Sequence, residues 1–141
     1  MTELDAGLVR RKLAVIKRNL DDLQPIEGMA LAAYQADRFR QKGTERLLQE
    51  AIEAAVDVNL HVLRALGVAT PGDYYESFVA VGRHGVIPPE LAAALAPGAG
   101  LRNRLVHEYD AIDDAIVLDA VRTARERLGA FIAAVEAHLQ R

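Results

Sequence analysis

The chain has 141 residues, a formal net charge of −3, 51% hydrophobic residues and no cysteine. The charge argues against a protein that coats nucleic acid by bulk electrostatics, and the missing cysteines leave no disulfide framework, thiolate nucleophile or thiolate metal site. No run of eighteen apolar residues is present to cross a membrane, and Met1-Thr2-Glu3-Leu4-Asp5 lacks the basic start and apolar core of a signal peptide, so a cytoplasmic protein is expected. One domain spanning 1–141 is the natural reading, with roughly 68–70% of the unfolded surface buried. None of the four histidines stands in an HxxxH or HExxH arrangement, so no structural metal and no cofactor are expected.

Thr2 is placed to cap a first helix whose apolar residues, Val9, Leu13, Ile16, Leu20 and Leu23, alternate in steps of four and three. Arg10, Arg11, Lys12, Lys17 and Arg18 load the same helix and, with Asp21 and Asp22 following, read as a solvated face. Gln24-Pro25 ends it, and Pro25 suits the first turn of a second helix that carries Ile26, Met29, Ala30, Ala33 and Phe39 inward. Lys42-Gly43-Thr44 is expected to interrupt that helix. The longest helix then runs from about Thr44 to Leu66, with Leu48, Ile52, Ala55, Val62 and Leu66 in register around Asn59. Glu50, Glu53, Asp57, His61 and Arg64 occupy its opposite side, either as its wet face or as the lining of a site.

Gly67 closes that helix, and Pro71-Gly72-Asp73 predicts a turn in which Asp73 caps a short helix and Glu76 answers it. Tyr74, Tyr75, Phe78, Val79 and Val81 are expected to close one end of a bundle, with His84 in an exposed loop. Pro88-Pro89-Glu90 starts another helix with Leu91, Ala94 and Leu95 inward, and Pro97-Gly98-Ala99-Gly100 is expected to break or kink the chain next. The last helix, capped by Asp113 or Asp114, buries Val117, Val121, Ala124, Leu128, Phe131, Val135 and Leu139; His138 near its end suits the helix dipole as a cation. With no strand pattern and no internal repeat, the fold class is all-α, an up-and-down helical bundle.

The chemistry concentrates in Leu101-Arg102-Asn103-Arg104-Leu105-Val106-His107-Glu108-Tyr109, where a guanidinium, a carboxamide, an imidazole and a phenol fall within eight residues. A helix advances about 100° per residue, so Arg102 and Tyr109 share one face and Asn103 and His107 another, while Arg102 and His107 point about 140° apart. Two arrangements would reunite them. Either the helix ends near Val106 and His107 swings round, or two copies of the chain each supply part of a shared site.

The spacing of Arg102, His107 and Tyr109 resembles the RX4HXY motif of HEPN-domain toxins, specifically the HepT group. The likeness extends to Arg46-Leu47-Leu48-Gln49-Glu50-Ala51-Ile52-Glu53 with Asp57 and His61, which is similar to that group's long central helix. It extends also to Pro71, Tyr74, Phe78, Gly85-Val86-Ile87, Leu91 and Ile112-Asp113. The resemblance implies a HEPN-like bundle acting as a dimer whose motifs meet in a cleft. It implies an acidic and polar lining from the central helix, which makes Asp57 and His61 the candidates for orienting Arg102 or His107. It also implies a minimal nucleotidyltransferase partner, an antitoxin that transfers AMP to the motif tyrosine, here Tyr109.

The motif residues suit metal-independent RNA cleavage. An imidazole with an ordinary pKa of about 6.5 can take the proton of a ribose 2′-hydroxyl, and its protonated form can return one to the leaving 5′-oxygen. Arg102 would supply a charge-assisted fork to the developing phosphorane, Asn103 would hold His107 or a phosphate oxygen, and Tyr109 would cover the scissile site. Arg104 points elsewhere and reads as a substrate or partner contact. The expected function is a toxin-type endoribonuclease acting on RNA rather than DNA and held inactive by its partner. The alternative is a non-catalytic HEPN module that binds a nucleotide or regulates a nucleotidyltransferase.

Overall fold

The computed structural model describes residues 3–141 as an all-α bundle. Helix α1 (Ala6–Leu23) packs on α3 (Arg38–Ala65) and α7 (Asp114–Leu139), while α2 (Leu31–Gln35), α4 (Tyr74–Arg83), α5 (Pro89–Leu95) and α6 (Gly98–His107) close the remaining sides. Among the described residues no helix is long and apolar enough to cross a membrane.

The periodic stretches fold as their spacing dictates. Val9, Leu13, Ile16, Leu20 and Leu23 are all buried, as the alternation of four and three places them on one stripe. Thr2 lies outside the described residues; the observed cap is Asp5, whose carboxylate accepts from the Leu8 N–H at 3.0 Å. Three of the five basic residues of α1 meet acidic partners at the surface: Arg10 with Glu136 (2.7 Å), Lys12 with Asp57 (2.9 Å) and Lys17 with Asp21 (2.8 Å). At the far end, Val117, Val121, Leu128, Phe131 and Val135 form the buried stripe of α7, with Phe131 meeting Phe78 edge-on at 6.3 Å.

The second helix departs from expectation. After a 3₁₀ turn at Gln24–Ile26, only Leu31–Gln35 is α-helical, and Ala30 and Ala33 are exposed. Its anchor is Tyr34, fully buried, whose phenol donates weakly to the Gln41 carbonyl at 3.5 Å. Burial, with Glu45 and Asp114 adding to it, holds that phenol far above its ordinary pKa, so it remains a donor. Nor does Lys42-Gly43-Thr44 interrupt anything: α3 starts at Arg38, capped by Asp37, and runs through Gly43 for 28 residues. Asp37 offers a stronger start signal than Gly43 offers a stop, because a lone glycine mid-helix costs only about 1 kcal/mol. Phe39 consequently points to solvent, 92% exposed, and Leu66 is the half-exposed C-cap of α3. Gly67 follows with φ +77°, the left-handed conformation that ends helices.

Two polar tethers fix the layers. Asn19 on α1 donates to the Leu47 carbonyl (3.1 Å) and to Glu50 (3.2 Å) on α3. Buried Asn59 on α3 donates to Ser77 Oγ (3.2 Å), which donates to the Tyr74 carbonyl (2.7 Å) and so sets the first turn of α4. Asp73 caps that turn by accepting from the Glu76 N–H at 2.8 Å. Tyr75 is half-exposed rather than a closing residue. At the end of α7, burial and the neighbouring Arg141 hold the His138 imidazole below its ordinary pKa, which disfavours the cation expected there.

Gly82 and Gly43 make opposite predictions. A Cβ at Gly82 would lie 2.5 Å from Ala92 Cβ, whereas one at Gly43 meets nothing within 4 Å. Gly82→Ala should therefore lose about 1–3 kcal/mol by overpacking the α4–α5 contact, and Gly43→Ala should gain roughly 0.5–1 kcal/mol, read from urea-unfolding midpoints.

Candidate functional site

From Arg102 to His107 the motif lies on α6, and Tyr109 follows in the turn after it. Pro97 occupies the N-cap, Gly98 is the first helical residue, and the helix continues through Gly100 to His107. The break predicted from Pro97-Gly98 thus separates α5 from α6 without disturbing the motif. Leu101 and Leu105, one turn apart, form the buried face and pack in a cluster with Leu48, Ile52, Val117 and Val121. Arg102 and Arg104 flank that face on opposite sides, and Asn103 and His107 point outward, as helical geometry requires.

Arg102 is the most constrained of these side chains. Its Nη2 donates to Glu53 Oε2 at 2.9 Å, its Nη1 to Asn103 Oδ1 at 3.4 Å, and its guanidinium carbon sits 4.8 Å from the Tyr74 ring centroid. Only 18% of the side chain is exposed, and its Nε is buried without a partner. An ion pair to a carboxylate and a stack on an aromatic face together fix a guanidinium both in position and in plane. Tyr74 is itself held by the chain from Asn59 through Ser77, so α3 positions Arg102 twice, once through Glu53 and once through α4. A hollow of about 380 Å³ opens over this group, lined by Asp73, Tyr75, Gly100 and Asn103 among others.

His107 is the last residue of α6 and is exposed, with no hydrogen-bond partner among the described residues. Glu108 then leaves the helical conformation (φ −127°, ψ 34°) and Tyr109, 65% exposed, begins a 3₁₀ turn. Because the helix stays intact up to His107, the imidazole does not swing toward Arg102, and the angular separation of about 140° stands within one chain. Asn103 is spent on Arg102 rather than on His107. A second hollow of about 350 Å³ lies beneath Tyr109, between Arg38, Lys42, Asp110 and Asp114.

Asp57 and His61 do not reach the motif in this chain. Asp57 pairs with Lys12, and His61 Nε2 accepts from the Asp5 N–H at 2.9 Å, so both serve the seam with α1 and the N-terminal segment. The acidic partner of Arg102 is Glu53, one helical turn earlier. Glu53 shares the polar stripe with Asp57, but the stripe alone does not reveal which turn of α3 faces α6; that depends on where Ile52 meets Gly98 and Leu101. Among the described residues no group of His, Asp and Glu is arranged to hold a metal ion.

The fold and site define a helical domain that presents arginine, histidine and tyrosine from one short helix and the turn after it. The model described as "Ribonuclease HepT-like" matches residues 16–135, and the chain belongs to the HepT-like ribonuclease family. It is 37% identical to tRNA nuclease HepT of Aphanizomenon flos-aquae (strain 2012/KM1/D3) over 139 residues, covering 99% of this chain and 95% of that protein. It is 28% identical to mRNA nuclease HepT of Shewanella oneidensis over 130 residues, covering 92% of this chain and 97% of that one. Among solved structures, the tri-AMPylated Shewanella oneidensis HEPN toxin in complex with MNT antitoxin superposes with a TM-score of 0.84 at 27% identity, covering 94% of this chain and 99% of that one.

The Glu53 contact makes a sharp prediction. Glu53→Gln should lower RNA cleavage roughly 10- to 100-fold, the scale of a misplacement of about 1 Å, with the loss in kcat rather than KM. Tyr74→Ala should do the same while Tyr74→Phe, which keeps the ring, should not. Equal activity in Glu53→Gln and the parent would remove Glu53 from this role.

Proposed function

We propose that this chain is the toxin of a toxin–antitoxin pair, an endoribonuclease that works as a homodimer and is silenced by a nucleotidyltransferase antitoxin acting on Tyr109. The observation that carries the reading is the division of labour on α6. Arg102 is fixed in place, His107 is free at the helix end, and the two diverge by about 140° on an unbroken helix. A two-fold axis beside α6 would bring one chain's His107 toward the partner copy's cleft and complete a site that one copy lacks.

In that cleft His107 takes the proton of a ribose 2′-hydroxyl, and the 2′-oxygen attacks the adjacent phosphorus. The bond from phosphorus to the 5′-oxygen breaks, leaving a 2′,3′-cyclic phosphate, and the departing oxygen receives a proton from an imidazolium. Arg102 faces the charge that develops on the non-bridging oxygens; its fixed orientation means that little reorganisation is needed as the charge appears. His107→Ala should reduce cleavage by about 10²–10⁴-fold, and Arg102→Ala by a comparable factor. Residual cleavage equal to the parent in His107→Ala would assign the activity to a contaminant and favour a non-catalytic nucleotide-binding module.

Silencing follows from the exposure of Tyr109. Its phenolic oxygen attacks the α-phosphorus of ATP, the new bond carries AMP, and pyrophosphate departs with the phenolic proton passing to solvent. The adduct places bulk and a negative phosphodiester two residues from His107, which opposes RNA by sterics and like charge. The toxin–antitoxin complexes among the structural neighbours, one of them tri-AMPylated, support this assignment. Intact mass after incubation with the partner and ATP should show added AMP in the parent and none in Tyr109→Phe. AMP that persists in Tyr109→Phe would place the acceptor elsewhere.

A further inference from the structure

The flank of α6 opposite Arg102 carries a groove that the cleavage chemistry does not use. It runs between α5, α6 and α7, with a volume of about 440 Å³, inside the range of roughly 300–1,000 Å³ typical of ligand sites. Its floor is apolar, from Leu95, Leu101 and Phe78, and its rim carries Arg104, Arg122 and Arg127 against a single acidic residue, Asp119. On a chain of net charge −3 this local excess of positive charge is out of keeping with the rest of the surface.

The three arginines are only lightly committed. Arg122 meets Asp119 at 3.1 Å with both side chains more than half exposed, an arrangement that stabilises little in water. Arg127 donates one Nη1 hydrogen bond to the Ala94 carbonyl at 3.0 Å, which fixes the side chain without neutralising it. Arg104 has no ion-pair partner among the described residues. Arg104 also precedes His107 by three positions, so the two point only about 60° apart and lie about 4.5 Å apart along the axis. His107 is therefore nearer in direction to this groove than to Arg102 of its own chain.

We propose that this groove is a phosphate-binding subsite for the RNA strand that flanks the scissile bond, resting on the ribonuclease reading above. Arg104, Arg122 and Arg127 take backbone phosphates through their guanidinium forks, which match phosphate oxygens in pairs. The apolar floor receives an unstacked base, as single-strand sites do. The strand thus enters past Arg104 and reaches His107 already oriented. A polypeptide from the antitoxin is the competing occupant; an unneutralised arginine rim beside the catalytic imidazole favours the polyanion.

The test uses full-length His107→Ala protein as a non-cleaving carrier and a fluorescent single-stranded RNA, with binding followed by anisotropy across a salt series. Adding Arg122→Ala and Arg127→Ala together should weaken binding at least tenfold near physiological salt and flatten the slope of log K against log salt by about 1.4, since each lost single-strand phosphate contact removes about 0.7. With His107 restored, the double variant should lose kcat/KM on long RNA but keep its rate on a dinucleotide too short to reach the groove. Arg122→Glu alone, at an exposed position that leaves the Ala94 contact intact, should weaken RNA binding further than Arg122→Ala. Unchanged affinity and salt slope in a variant with the parent's circular dichroism spectrum would overturn the subsite. Unchanged RNA binding with loss of the antitoxin complex would overturn it in favour of a protein contact. Cleavage that does not depend on His107 would instead defeat the ribonuclease reading, and the salt slope would still decide whether the groove binds RNA.

Discussion

The site depends on holding one guanidinium still. Arg102 is mostly withdrawn from water, and an arginine in that position is tolerated only where its charge is met. Glu53 meets the charge, Asn103 one further donor, and the Tyr74 ring the flat face. Two of these partners are fixed by something more deeply buried: Glu53 by the register of α3 against α6, and Tyr74 by the hydrogen-bonded path from Asn59 through Ser77. The long helix α3 is thus more than a structural spine, because it sets both the place and the plane of the Arg102 guanidinium.

The same arrangement explains why α6 has such uneven surroundings. Its apolar pair, Leu101 and Leu105, seats the helix on α3 and α7, and that seating alone sends Arg102 to one flank, Arg104 to the other and His107 outward. One flank carries a hollow in which Arg102 is matched by Glu53, and the other a groove with surplus positive charge. A polyanion therefore meets an attractive surface beside the imidazole before it meets the compensated arginine.

Much of this was legible in the chain. The four-and-three spacing of α1 and α7, the Asp73 cap and the family that the motif string resembles are legible because each depends on residues close in sequence. The failures share a different cause. Gly43 looked like a stop but lies inside α3, since the Asp37 cap and the packing of a long apolar stripe outweigh one glycine. Tyr34 was missed as an anchor because nothing in Leu31–Gln35 signals that this short helix folds back onto Gln41. The resemblance points to Asp57 and His61 rather than Glu53; all three share a stripe, and only the crossing of α3 and α6 decides which turn faces Arg102. Local spacing fixes a face; it does not fix which level of that face a neighbour touches.

The connection between α6 and α7 is only six residues long, with Tyr109 in a 3₁₀ turn near its start and Asp113 capping the next helix at its end. So short a tether confines whatever the phenol carries to a small volume around the end of α6. A group attached there would be presented to the neighbouring imidazole at an effective concentration on the millimolar scale expected of short tethers, irrespective of its intrinsic affinity. Covalent attachment would thus keep the group beside the imidazole at a local concentration that does not fall when free nucleotide does.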